Sequence, residues 1–143
     1  MGACWNLALA VAGSLSALVA LLHVAIIFGG ARWYRFFGAG ERMASAAEAG
    51  RLYPTVVTAL ITAVFAVWAV YAFSGAGLLP HLPLRKPVLV FISAVYLGCG
   101  LVIAPLLVRK GFRPPVFVLW SSAISAGIGA AHLVGVLQTW AAL

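Results

Sequence analysis

Residues 5–30 read WNLALAVAGSLSALVALLHVAIIFGG, twenty-six positions without one Asp, Glu, Lys or Arg. Coiled as an α-helix, this stretch is about 39 Å long, and a bilayer's hydrocarbon core is about 30 Å thick. Three further runs have the same character, residues 53–79, 88–108 and 116–143, and none contains a charged side chain. Each meets the roughly 20-residue requirement for a spanning helix. A strand barrel would instead show segments of about 10 residues with alternating polarity, and these runs do not alternate. The expected fold is all-α and integral to a membrane. It is a single transmembrane domain over residues 1–143, with helices at about 5–30, 53–79, 88–108 and 116–143.

The whole composition agrees. Of 143 residues, 65% are hydrophobic and 8% charged, and mean hydropathy is +1.14. Soluble domains carry about 25% charged residues, so the surplus apolar surface here must face lipid. The first run lacks a basic n-region and exceeds the apolar core of a cleavable signal, so it is expected to remain as a span. Cys4 and Cys99 fall at depths about 15 Å apart at 1.5 Å per residue. A disulfide needs Cα atoms within about 7 Å, so the two are expected to be unpaired.

Short connections, several marked by Pro80, Pro83, Pro87, Pro114 and Pro115, make neighbouring helices antiparallel and predict an up-down-up-down bundle. Net charge is +7, from nine Lys/Arg and two Glu. The basic residues sit between apolar runs and form no clustered face of the kind that reads nucleic acid, so no nucleic-acid partner is expected. The first and third connections carry Arg32, Arg35, Arg42, Arg51, Arg109, Lys110 and Arg113, against Arg85 and Lys86 on the other side. The positive-inside rule then places those two connections in the cytoplasm and both termini in the periplasm. An Ala/Gly/Arg-rich composition points to a bacterial inner membrane.

The first connection opens with RWYRFF, residues 32–37. Aromatic rings beside Arg suit the headgroup layer, and Arg32, Trp33, Tyr34, Arg35 and Phe37 are expected to anchor the chain there. Glu41, Ser45 and Glu48 then share one helical face. A short interfacial helix is predicted from Glu41 to Ala49, separated from the next span by Pro54.

Polar groups inside spans carry the remaining information, because burying them in hydrocarbon is costly. Ionised residues are missing from all four runs, which argues against proton pumps and charged filters. His23 and His132 lie within the first and fourth runs. Bis-His haem ligation would bring them to one point, yet their expected depths differ by about 13 Å. No cofactor is predicted on this ground. His23, His132, Tyr71 and Tyr96 are the candidate cofactor-binding residues if a haem or quinone is held. The simpler expectation is helix packing through small faces, with His–Ser bonds across the contact. That reading places His23 near Ser122 or Ser125, and His132 near Ser14 or Ser16.

The run LLHVAIIFGG, residues 21–30, resembles small bacterial four-helix membrane proteins of the DoxX-like group. That resemblance covers one helix and implies a four-helix fold with no catalytic residues to carry over. Four helices and a charged segment before the second also resemble the glutathione-using four-helix membrane enzymes. That family needs a dense Arg/Asn/Glu cluster in its second helix, and here the second run is uncharged.

The function expected from the residues is therefore non-enzymatic: binding of membrane lipids, an apolar ligand or a partner's transmembrane helices, including those of a second copy. A b-type haem or quinone redox protein is the alternative, and a small oligomeric transporter the next.

Overall fold

The computed structural model describes residues 5–104 and 115–143. Within them lie five helices: α1 (Leu7–Phe36), α2 (Glu41–Glu48), α3 (Tyr53–Gly75), α4 (Arg85–Leu101) and α5 (Val116–Gln138). The described residues contain no strand. Three helices, α1, α3 and α5, are long and apolar enough to cross a membrane. α4 has 17 residues and ends at Leu101, where a turn at 102–103 follows instead of the expected helix; residues 105–108 of that run lie outside the described residues, as do Cys4, Arg109, Lys110 and Arg113.

Large apolar side chains remain exposed along the long helices, among them Phe28 at 86%, Leu60 at 64% and Trp120 at 67%. In water such a surface would be an aggregation site; in a bilayer it is the lipid-facing surface.

Several boundaries differ from the sequence expectation. The apolar run of α1 does end at Gly30, but the chain does not become a loop there. Gly30 takes φ 62°, ψ −152°, and helical structure resumes through Phe36. A left-handed φ carries no Cβ penalty in glycine, so Gly30 supplies a kink inside a helix rather than its end. α3 stops at Gly75 rather than residue 79. The Ser74 hydroxyl donates to Pro80 O (2.7 Å) and accepts the Leu82 N–H (3.1 Å), folding the chain back at once. α4 starts at Arg85, and Pro87 sits in its first turn, where a missing N–H costs nothing. Pro54 likewise occupies the first turn of α3.

The chain forms two compact units, one from the N-terminal part of α1 to Leu15 together with Trp68–Leu143, the other Ser16–Val67. In the first, Asn6 caps α1: its Oδ1 accepts the Leu9 N–H at 2.8 Å, as an N-cap asparagine does. The Asn6 amide Nδ2 also donates to Gln138 Oε1 at 2.8 Å, and Leu9 packs on Gly135. Contact partners thus fall by three along α5 while rising by three along α1, so these segments run antiparallel. α4 packs along α5. A Cβ on Gly100 would lie 2.5 Å from Ala126 N, and one on Gly129 would lie 2.8 Å from Leu97 N. These glycines let the two backbones approach, as small residues do between membrane helices. Gly13 meets Phe73 and Ala72 of α3.

In the second unit, Tyr34 is buried with Ile26 and Ala44, and Phe37, Met43 and Ala47 pack around them. This cluster pins α2 against the end of α1.

Candidate functional site

The second unit concentrates the charge. α2 and the last turn of α1 meet through one guanidinium. Arg35 Nη2 lies 2.7 Å from Glu41 Oε1 and Nε 3.0 Å from Glu41 Oε2, while Nη1 lies 2.6 Å from Glu48 Oε1 and Nη2 2.9 Å from Glu48 Oε2. Both contacts are two-pronged, which matches the planar fork of arginine to a carboxylate. Hydrogen bonds from Arg35 hold both carboxyls below the usual carboxylate range. The face shared by Glu41 and Glu48 was legible in their spacing, but their partner was not. The kink at Gly30 and the turn at Gly38–Gly40 are what bring Arg35 over that face.

Glu41 and Glu48 are the chain's only acidic residues, and Arg35 engages both. Arg32, Arg42 and Arg51 in the same unit are all exposed, and no carboxylate of this chain is left over for them. Two open grooves lie at these residues. One, of about 580 Å³, is lined by Arg42, Ser45, Ala46, Ala49, Arg51 and Tyr53. The other, also about 580 Å³, is lined by Arg32, Trp33, Phe36 and Phe37. Of the residues expected at the headgroup layer, Arg32 and Trp33 are exposed, as is Phe36 beside them. Tyr34 is instead buried, and its hydroxyl lies 3.1 Å from Thr58 Oγ1. A helix rather than a loop carries these residues, so successive side chains fan around an axis and one of them must turn inward.

The first unit gathers the polar residues expected inside spans. His132 is fully buried and stacks on Tyr96 at 5.5 Å between ring centroids, and Trp68 meets Tyr96 edge-on at 5.1 Å. Ser93, also buried, donates to Leu89 O at 2.8 Å. Tyr71 is drawn elsewhere: its hydroxyl donates to Pro83 O at 3.3 Å. Of the candidate cofactor-binding residues the structure thus joins Tyr96 and His132, with Tyr96 covering one ring face of the imidazole.

His23 belongs to the second unit, and Ser122 and Ser125 to the first. The His23 ring finds an acceptor on its own helix, Nδ1–H donating to Val19 O at 2.8 Å, and packs on Phe65 at 5.2 Å. Ser14 is exposed and donates to Ala10 O at 2.9 Å, whereas Ser16 is buried. The described residues hold no group of three His, Cys, Asp or Glu side chains placed to share a metal ion.

The first unit also holds a residue that sequence reasoning counted only as a loop charge. Arg85 is buried, and its guanidinium donates to Ser74 O at 3.1 Å and Ala142 O at 3.2 Å. Both carbonyls belong to turns at or beyond helix C-terminal ends, where the backbone dipole favours a cation. Lys86 Nζ sits 4.4 Å from the centre of the Trp140 ring, a cation–π distance. Compared with protein-family models, with curated proteins and with solved structures, the chain matches none.

Proposed function

We propose that the protein is a non-catalytic inner-membrane protein that binds anionic lipid at the end carried by α2. Its membrane character rests on α1, α3 and α5, each long and apolar enough to cross. In this reading the apolar run 88–108, which contains α4, makes the fourth crossing, α2 lies at the cytoplasmic surface, and both termini are periplasmic. Arg85 supports that orientation. It is bound to backbone carbonyls, so the periplasmic side keeps less free positive charge than a residue count implies.

The carrying observation is the charge imbalance within Ser16–Val67. Both carboxylates are engaged by Arg35, while Arg32, Arg42 and Arg51 stand exposed beside Trp33 and Phe36. Anions for them must come from outside the chain. A headgroup layer supplies phosphate, and each Lys or Arg near an anionic surface contributes about 1 kcal/mol. The test is mass spectrometry of lipid retained by the full chain purified in mild detergent. Enrichment of anionic over zwitterionic phospholipid relative to the source membrane is expected. Equal proportions would refute lipid selectivity. The redox alternative rests on the buried Tyr96–His132 stack. A Soret band or bound quinone in the same preparation would favour it over the lipid reading.

A further inference from the structure

The groove between α2 and the start of α3 has features of a headgroup pocket, beyond a diffuse basic surface. We infer that it holds the phosphate of an anionic phospholipid between Arg42 and Arg51, an inference that rests on the lipid-binding reading above. Its volume of about 580 Å³ falls within the roughly 300–1,000 Å³ of small-ligand sites. Two guanidiniums present paired N–H donors that match phosphate oxygens. Tyr53, half exposed at 55%, adds a hydroxyl at the rim. Ala46 and Ala49 put no bulk into the space. Ser45 directs its hydroxyl hydrogen to Glu41 O, so the donors left to the ligand are those of Arg42, Arg51 and Tyr53.

Two further observations bear on the occupant. Arg35 pairs with both acidic side chains near the groove, holding Glu41 and Glu48 each in two-pronged contacts, with Glu41 Oε1 3.5 Å from the Ser45 hydroxyl. And the groove borders an apolar helix, which favours a lipid over a free anion. Leu52, between Arg51 and Tyr53, exposes 76% of its surface, and the 23-residue apolar helix α3 starts at the next position. A phosphate in the groove would have its acyl chains beside Leu52 and the outer face of α3. The neighbouring groove at Arg32 differs: Trp33, Phe36 and Phe37 make it mainly apolar, suited to the interface but not to gripping a phosphate.

The experiment uses the detergent-purified full chain and measures binding of short-chain phosphatidylglycerol, short-chain phosphatidylcholine and inorganic phosphate. Wild type is compared with Arg42→Gln/Arg51→Gln and with Arg32→Gln. All three side chains are exposed, so circular dichroism should be unchanged. Each groove arginine should contribute roughly fivefold to phosphatidylglycerol affinity, and both together on the order of 25-fold. Arg32→Gln, which removes a charge from the same basic surface but not from this groove, should lose less than the roughly fivefold of a single groove arginine. Arg42→Lys/Arg51→Lys, which keeps charge but loses the fork, should fall between. A double Gln variant that still prefers phosphatidylglycerol overturns the groove assignment while leaving the lipid reading intact. No preference in wild type overturns both. Inorganic phosphate binding as tightly as the lipid overturns the lipid as occupant.

Discussion

Arg85 shows how much one buried side chain does in this protein. Its hydrogen bonds reach Ser74 O and Ala142 O, tying the ends of two chain segments to the start of α4. Hydrogen bonds involving a charged partner contribute roughly 1.5–3 kcal/mol, and a carbonyl left without one in an apolar setting is costly. Arg85→Met is therefore expected to lower the thermal midpoint in detergent clearly, while Arg32→Met, at an exposed position, should leave it nearly unchanged. Equal midpoints for the two variants would show that the carbonyls find other donors. Gly30 makes a similar point through backbone alone. Its φ of 62° with ψ −152° lies in a region that is essentially restricted to glycine. Beyond the kink Tyr34 is buried and Trp33 exposed.

Among the elements, α4 and α5 are held close by their glycines. Adding a methyl at Gly100 would place it 2.5 Å from Ala126 N, a backbone atom that cannot rotate away. Gly100→Ala should force the helices apart and destabilise by about 1–3 kcal/mol. Gly98→Ala is the control, since nothing lies within 4 Å of its Cβ position. Thermal unfolding of the pair in one detergent measures the difference. α2 depends on charge instead. Arg35 holds the Glu41 and Glu48 carboxyls below their usual range, so the clamp's contribution is fully present above the ordinary carboxylate pKa of about 4.3 and is lost as pH falls through the lowered value. Amide exchange across 41–48, corrected for intrinsic rate, should be flat from neutral pH down to about 5 and should rise in stronger acid. Arg35→Gln should raise exchange already at neutral pH and flatten the acid step. Because the pair is solvent-exposed, added salt should weaken it as well.

For the whole molecule the informative prediction is topology. Arg32, Arg42 and Arg51 lie in the α1–α3 connection region, and the proposed orientation makes this side cytoplasmic. A cysteine placed at Leu143 should react with an impermeant maleimide from the periplasm, and one placed at Ser45 should react only after permeabilisation. Both positions labelling from the same side would reject the odd number of crossings between them that the proposed topology requires. Labelling with the sides exchanged would reject the orientation alone.

The sequence by itself determined the class of this protein. Runs without charge, such as residues 5–30, leave a helix in lipid as the one way to satisfy every backbone group within the segment. The short helix at 41–48 and the shared face of Glu41 and Glu48 were legible for a related reason, since helical period depends only on local geometry. Tertiary structure decided what those faces meet. Nothing in the local pattern of RWYRFF says that Gly30 will kink rather than end α1. Consequently, nothing local says that Tyr34 will be buried on Thr58, or that Arg35 will take both glutamates. Nor does spacing distinguish a glycine that faces α3, as Gly13 does, from one that faces α4, as Gly129 does. Small residues permit close approach without choosing the partner; the partner is chosen by which helices the turns at Ser74 and Arg85 bring alongside.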